Sequence, residues 1–217
     1  MTTRIIAIEG IDASGKSTQT HLLADHLRAE GTTVEVRSFP HYESFFGRQI
    51  RALLDGDGSL GGITADTLDP RSMALWFAMD RWQSFTTSVP CDVLLLNRYT
   101  LSNAVYQAAR VDSNTGKEDG DELFAWILEL EHTVLGLPRP QLTVVLDVDV
   151  STSGARSTAR AHELGASPDV YERSEHLLQA SRDRYRTAGT FIDNLQLVQV
   201  GSRPPGQVAE DVRALLS

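Results

Sequence analysis

The stretch Glu9–Thr18, "EGIDASGKST", follows the apolar run "RIIAI" at residues 4–8. Residues Gly10 to Ser17 fit the spacing G-x-x-x-x-G-K-[ST]. In that pattern the chain turns tightly from a strand into a helix. Backbone N–H groups and the helix N-terminus then face anionic oxygens. The context agrees: a buried strand over 4–9 comes before, and a helix from Lys16 to about Glu30 comes after. That helix carries Leu22, Leu23 and Leu27 on one face and ends at Gly31. A turn with glycines for geometry alone is the bland alternative, and it leaves Lys16 and Ser17 unexplained. The loop Gly10, Ile11, Asp12, Ala13, Ser14, Gly15, Lys16, Ser17 and Thr18 is therefore expected to bind a nucleoside triphosphate. Lys16 would reach the β- and γ-phosphates and the Ser17 hydroxyl would bind Mg²⁺. Asp12 is the anomaly, a carboxylate inside a phosphate cradle.

Outward from the loop, strands alternate with helices. Strands are expected at 33–39, 92–97, 142–148 and 196–200. Helices are expected through "FGRQIRALL", over 69–89, from about 121 to 135, from about 170 to 188 and over 204–216. The segment 151–170, rich in Arg, Ser, Ala and Gly, has little patterning and reads as a mobile cover. No repeat or linker divides the chain, so residues 1–217 form one domain. The fold class is α/β, with three layers: a mainly parallel sheet, helices on both faces and a short mobile lid at 151–170. With the phosphate loop after the first strand, this is the P-loop NTPase architecture.

Composition narrows the partners. A net charge of −9 argues against a nucleic-acid-binding face. No apolar run of about 18 residues predicts a membrane span. A single cysteine, Cys91, excludes an internal disulfide and suits a reducing cytoplasm. The start "MTTR" reads as leading directly into the first strand, without a signal peptide. The six histidines are scattered without metal-ligand spacing. Of the basic residues 18 are Arg and only 2 are Lys, one of them Lys16.

Three further stretches lie where an open α/β sheet places its ligand: "FPHY" (39–42), "FAMDRWQ" (77–83) and "NRYTLSNAVYQAAR" (97–110). Together with "EGIDASGKST", "GLPRPQ" and "DVYERSEHL", they resemble, in order, the motifs of thymidylate kinases. That resemblance implies ATP-dependent phosphorylation of dTMP to dTDP, on the route to dTTP, by a homodimer. It assigns Phe77 to stack on thymine, Arg81 to hydrogen-bond the base and Asn103 to read its edge. Tyr106 is assigned to the deoxyribose, Phe39 and Tyr42 to the acceptor pocket and Arg98 to the phosphate. Ser102, Gln107 and Tyr171 complete the substrate-binding set. Arg156 and Arg160 are the lid arginines, grouped as catalytic with Asp12, Lys16 and Arg98. Asp169, Tyr171 and Glu172 match the run just after the lid. Asp12 joins Ser17 in the metal-binding set.

Blander roles exist for each. Phe77, Tyr106 and Phe39 have the spacing of core residues. Arg81 and Arg98 could form ordinary ion pairs, and Arg156 and Arg160 one solvated helix face. Two positions depart from the family pattern. Asn97 stands where the family has Asp before Arg-Tyr, which removes a charge. Ala13 stands where some members have Arg, leaving the lid to supply the cation.

Chemistry favours a monophosphate acceptor. Its second pKa is near 6, so it is already mostly dianionic at pH 7 and needs no base. A nucleoside hydroxyl would need one, yet the second strand ends in Ser38-Phe39-Pro40 without a carboxylate. Arg37, Arg48, Arg81, Arg98 and the lid arginines fit two converging anions. Asp12 is then expected to position the acceptor phosphate through Mg²⁺, a water or an arginine. The alternatives are a deoxynucleoside kinase of similar fold and a catalytically weak nucleotide-binding homologue, the latter suggested by Asn97.

Overall fold

The strands are β1 (Arg4–Glu9), β2 (Val34–Ser38), β3 (Val93–Asn97), β4 (Leu142–Asp147) and β5 (Leu195–Gln199). They form one parallel sheet in the order β2-β3-β1-β4-β5. The computed structural model describes residues 3–56, 58–87, 90–113, 116–164 and 167–216, without the side chains of residues 160, 161, 163 and 164. Central β1 and β3 are buried on both faces, as parallel strands between helical layers are. Their alternate residues feed different clusters. Ile6, Ile8, Val93 and Leu95 join the larger core, whereas Ile5, Ala7, Leu94 and Leu96 pack with Phe39, Tyr99 and Leu137.

The helices are α1 (Lys16–Ala29), α2 (Phe45–Asp55), α3 (Pro70–Ser84), α4 (Thr100–Asp112), α5 (Lys117–Glu129), α6 (Val150–Leu164), α7 (Glu175–Thr187) and α8 (Pro205–Ala214). Asp69 caps α3 by accepting from Arg71 N–H, with Pro70 in the first turn. Ser44 and Ser174 cap α2 and α7 in the same way.

Three elements differ from expectation. Helix α4 escapes amphipathic reading because every residue from Thr100 to Ala109 is buried, polar ones included. The helix expected to run to 135 passes into a π-helical segment, Leu130–Val134. The expected lid segment, read as weakly patterned, is largely helix α6, which starts at Val150. Ser153, on that helix, donates to the Asp12 carbonyl at 2.6 Å, so the segment is tied to the phosphate loop. Residues 165 and 166 of the expected lid lie outside the described residues.

The first strand sits where the strand order reverses, with β3 on one side and β4 on the other. This is the switch point at which open α/β sheets bind ligands, beyond the carboxyl ends of the strands. The phosphate loop leaves β1 there, and Arg98 leaves β3 beside it.

Candidate active site

The phosphate loop is built by backbone constraints. Gly10 has φ 138°, and a Cβ on it would lie 2.7 Å from the Leu146 carbonyl oxygen. Only glycine fits that approach of loop to β4. Gly15, at φ 98°, precedes the first turn of α1 and turns its N–H groups toward the groove. Lys16 Nζ donates to the Ile11 carbonyl at 2.7 Å. Ser17 and Thr18 are exposed at the helix start.

Asp12 is clamped from two sides. One carboxylate oxygen pairs with Arg98 Nη2. The other accepts from the Tyr106 hydroxyl at 2.7 Å, and the Asp12 backbone N–H donates to the same hydroxyl at 3.2 Å. Burial acts to raise the Asp12 pKa, but Arg98, Lys16 and the Tyr106 bond outweigh it and hold it at about 2. Asp12 is thus ionised throughout the neutral range.

Arg98 adopts φ 61°, an uncommon conformation for a side-chain-bearing residue. Its guanidinium lies over the Tyr106 ring, 5.5 Å from the centroid, and donates to Ser102 Oγ at 3.3 Å. Ser102 in turn donates to Glu9, which also accepts from Tyr99 N–H at 2.8 Å. Burial raises the Glu9 pKa despite these donors. The buried Glu9 ties the start of α4 to the end of β1.

Beside the loop is a cavity. Nine of the ten expected substrate residues line it: Phe39, Tyr42, Phe77, Arg81, Arg98, Ser102, Asn103, Tyr106 and Tyr171. Gln107 does not. It is fully buried, and its oxygen accepts from Arg110 at 2.8 Å. One position beyond Tyr106 on α4, it points into the protein. The cavity joins a wider groove lined by residues of the phosphate loop, Asn97 and Arg156, and the two share Asp12, Arg98, Tyr42 and Asp169.

At the far end of the cavity Arg81 is 2% exposed and forms a two-point ion pair with Glu131, Nη2 to Oε1 at 2.7 Å. Asn103 Nδ2 donates to Glu131 at 2.8 Å and to the Ala74 carbonyl at 3.0 Å. Its Oδ1 is buried without a partner among the described residues. Such an orphan acceptor on a cavity wall asks for a ligand donor.

Other arginines fall elsewhere. Arg37 pairs with Glu35 and donates to the Ser84 and Thr87 carbonyls, and Arg48 donates to the Glu43 carbonyl, so both serve local structure. Arg156 faces the groove and donates to the Gly201 carbonyl at 3.0 Å. The side chain of Arg160 lies outside the described residues.

Three lining or supporting residues lay outside the expected site set. Arg51 faces the groove and stacks over Tyr42, 4.8 Å from its centroid. Asp169 lines both spaces. Burial, with Asp12 and Glu172 nearby, raises its pKa to about 7, although it accepts from the Tyr171 and Glu172 N–H groups. Only the "DVYERSEHL" run pointed at it. Glu131 carried no signal at all.

Among the described residues no group of three or more His, Cys, Asp and Glu is placed to hold a metal. The donors at the loop are oxygens: exposed Ser17 Oγ and, on neighbouring Asn97, a buried Oδ1 without a partner among the described residues. Asn97 Nδ2 donates to Ser17 Oγ at 3.1 Å. A sparse oxygen set suits a Mg²⁺ ion that keeps waters and phosphate oxygens as ligands. Each Asp12 oxygen already bonds one protein partner, Arg98 or Tyr106, and keeps a further acceptor site.

Fold and site together define the class: a P-loop nucleotide-binding domain with a second pocket for a small acceptor beside its phosphate loop. Comparison with known proteins carries this further. The family profile described as "Thymidylate kinase" matches residues 8–212. Thymidylate kinase from Mycobacterium tuberculosis is 36% identical over 183 residues, covering 81% of this chain and 80% of the relative. A probable thymidylate kinase from Pyrococcus abyssi is 31% identical over 216 residues, covering 97% and 94%. The solved structure of thymidylate kinase from Candida albicans superposes with a TM-score of 0.76 at 22% identity, over 99% of this chain and 91% of that one, which speaks to fold. The chain belongs to the thymidylate kinase family.

Proposed function

We propose that the protein transfers the γ-phosphoryl group of ATP to dTMP, giving dTDP. The observation that carries this is the cavity itself. One end offers a donor, Arg81, and an orphan acceptor, Asn103 Oδ1. The other offers Arg98, held by Asp12, where the cavity meets the phosphate loop. A thymine ring presents O4 and N3–H to the first end, and its 5′-phosphate reaches the second.

In this reading Phe77 supplies the flat apolar face for the ring. Tyr106, fixed by its bonds to Asp12, packs against the sugar. The loop N–H groups and Lys16 hold the donor phosphates. Arg98 holds the acceptor phosphate, and Asp12 sets the Arg98 guanidinium in place instead of taking a proton. The acceptor dianion attacks the γ-phosphorus as the bond to the ADP oxygen breaks, and no proton has to move. Ser17, with Asn97 beside it, would hold Mg²⁺, which would neutralise charge on the donor phosphates. Arg156, on α6, reaches the groove from the lid side, and closure there excludes water.

The assembly we propose is a homodimer. Leu75 and Trp82, two helical turns apart on α3, are exposed, as is Phe45 at the start of neighbouring α2. A cytoplasmic location accords with the absence, among the described residues, of a helix long and apolar enough to span a membrane.

The test is a coupled ADP-release assay with dTMP, dUMP, dCMP, UMP and thymidine. Efficient turnover of dTMP is expected. Phosphorylation of thymidine but not dTMP would favour a deoxynucleoside kinase. Binding of ATP and dTMP in calorimetry without product would leave a catalytically weak homologue.

A further inference from the structure

We infer that Glu131 is a positioning residue that sets which pyrimidine the cavity accepts. The inference rests on the reading of Arg81 and Asn103 as the base-facing pair. Neither residue contains its own polarity. An asparagine amide can present either its oxygen or its nitrogen to a ligand, and an arginine can turn its donors elsewhere. Glu131 removes both freedoms, at Asn103 together with the Ala74 carbonyl, which also accepts from Nδ2 at 3.0 Å. Glu131 Oε2 takes Arg81 Nε at 2.5 Å, and its Oε1 takes both Arg81 Nη2 at 2.7 Å and Asn103 Nδ2 at 2.8 Å. A carboxylate can only accept, so the Asn103 nitrogen must face it and the Asn103 oxygen must face away. That oxygen is the one left without a partner. Arg81 likewise spends Nε and Nη2 on Glu131, and Nη1 has no protein acceptor among the described residues.

The cavity wall therefore reads donor from Arg81 and acceptor from Asn103, already ordered before a ligand arrives. Thymine and uracil match it, with O4 as acceptor and N3–H as donor. Cytosine opposes it at both points, with a 4-amino donor and an N3 acceptor. A site built on fixed polar groups rejects a mismatched ligand strongly, because its own buried groups are left unpaired.

Glu131 reaches this place through an unusual piece of backbone. It lies in the π-helical segment after α5, where Leu135 N–H donates to the Leu130 carbonyl at 2.9 Å. Leu137 N–H donates to the Glu131 carbonyl at 2.9 Å, and His132 Nδ1 bonds the Leu137 carbonyl at 2.9 Å. The widened turn is thus held from its far side. Single π turns occur often at functional sites.

The experiment is steady-state kinetics of wild type and Glu131→Gln with dTMP, dUMP and dCMP. The introduced amide must place a donor against Arg81 or against Asn103. It relieves the clash by turning the Arg81 guanidinium out of its two-point pair, since the Ala74 carbonyl keeps the Asn103 nitrogen in place. The ratio of kcat/KM for dTMP over dCMP should fall by at least about tenfold, carried mainly by KM. The ratio of dTMP over dUMP should stay within about twofold, since the 5-methyl group is not on the edge being read. Glu131→Asp, which keeps an accepting carboxylate, should lower activity yet preserve preference for dTMP over dCMP. If wild type turns over dTMP and Glu131→Gln keeps the wild-type dTMP-to-dCMP ratio, the inference is wrong while the proposed function stands. If wild type does not use dTMP at all, the function fails first. For the case in which the variants do not fold, the ¹⁵N-labelled wild-type protein gives a second measurement. The Asn103 side-chain N–H₂ protons should exchange slowly with solvent in the ligand-free state, because both are committed to Glu131 and Ala74. Fast exchange, as for a free amide, would overturn the inference.

Discussion

The two ends of the acceptor cavity each hold an arginine paired with a carboxylate, yet they are built differently. At the base end Arg81 and Glu131 are 2% and 0% exposed, and Asn103 completes the set. At the phosphate end Arg98 and Asp12 are 17% and 19% exposed, on two loops leaving neighbouring strands. The base end is a closed, two-point pair whose geometry is settled before binding. The phosphate end is an open charge arrangement, able to meet an anion from the groove. Reading a flat ring requires fixed donors and acceptors, whereas attracting phosphate requires net positive charge within reach.

This contrast can be broken by mutation. The largest effect is expected for Arg98→Ala: kcat/KM for dTMP should fall by about 10³-fold, with circular dichroism unchanged. Near-wild-type kinetics there would show that the open end does not clamp phosphate.

The second prediction compares the carboxylates. Glu131→Ala leaves Arg81 buried and unpartnered and should cost about 3–5 kcal/mol in urea unfolding. Asp12→Asn should cost about 1 kcal/mol at pH 7, because Arg98 retains access to water. The Asp12 contribution has a defined sign. Its pKa is lowered from 3.8 to about 2, so the stabilisation is present above pH 3.8 and lost as pH falls toward 2. In kinetics, Asp12→Asn should lower activity without moving the acidic limb, which follows the acceptor phosphate near pH 6. Equal stability losses for the two variants would erase the distinction between closed and open ends.

The smallest effect sharpens the border between cavity and groove. Asp169 has its pKa raised from 3.8 to about 7, so the folded state holds its proton more tightly than the unfolded chain. The cost of its charge is absent below pH 3.8, grows as pH rises, and is complete above about 7. Asp169→Asn should stabilise the ligand-free protein at pH 8 by about 1 kcal/mol, roughly 2–4 °C in Tm, and have no effect at pH 3.5. A gain at the lower pH instead would mean that burial does not control this carboxyl.

Much of the site was legible because it stands in short runs, three of them after strand ends and one on helix α3. Gly10–Ser17 and Phe39, Phe77, Arg81, Arg98, Asn103 and Tyr106 stand in short runs whose residue types suit phosphate and a flat ring. The failures have physical causes. Helix α4 carries Ser102, Asn103 and Gln107 among apolar residues on every face, so no periodic stripe marks it. Gln107 was grouped with its neighbours although one helical step turns it about 100° away. Arg37 and Arg48 carry the right charge, but carbonyls and Glu35 nearby consume it. The polar composition of 151–170 hid a helix, because the residues it buries include the small polar Ser153 and Ser157. Val150 at its start joins the main core, and Ser153 bonds the Asp12 carbonyl.

By itself the sequence determined the phosphate loop, the parallel α/β order and the family, since these rest on local spacing and on runs buried on both sides. Only the tertiary structure decided what the charged residues do. Asp12 meets Arg98 across 86 positions, and Arg81 meets Glu131 across 50. A charge's role is set by its partner and its distance from water, and neither is a property of neighbouring residues.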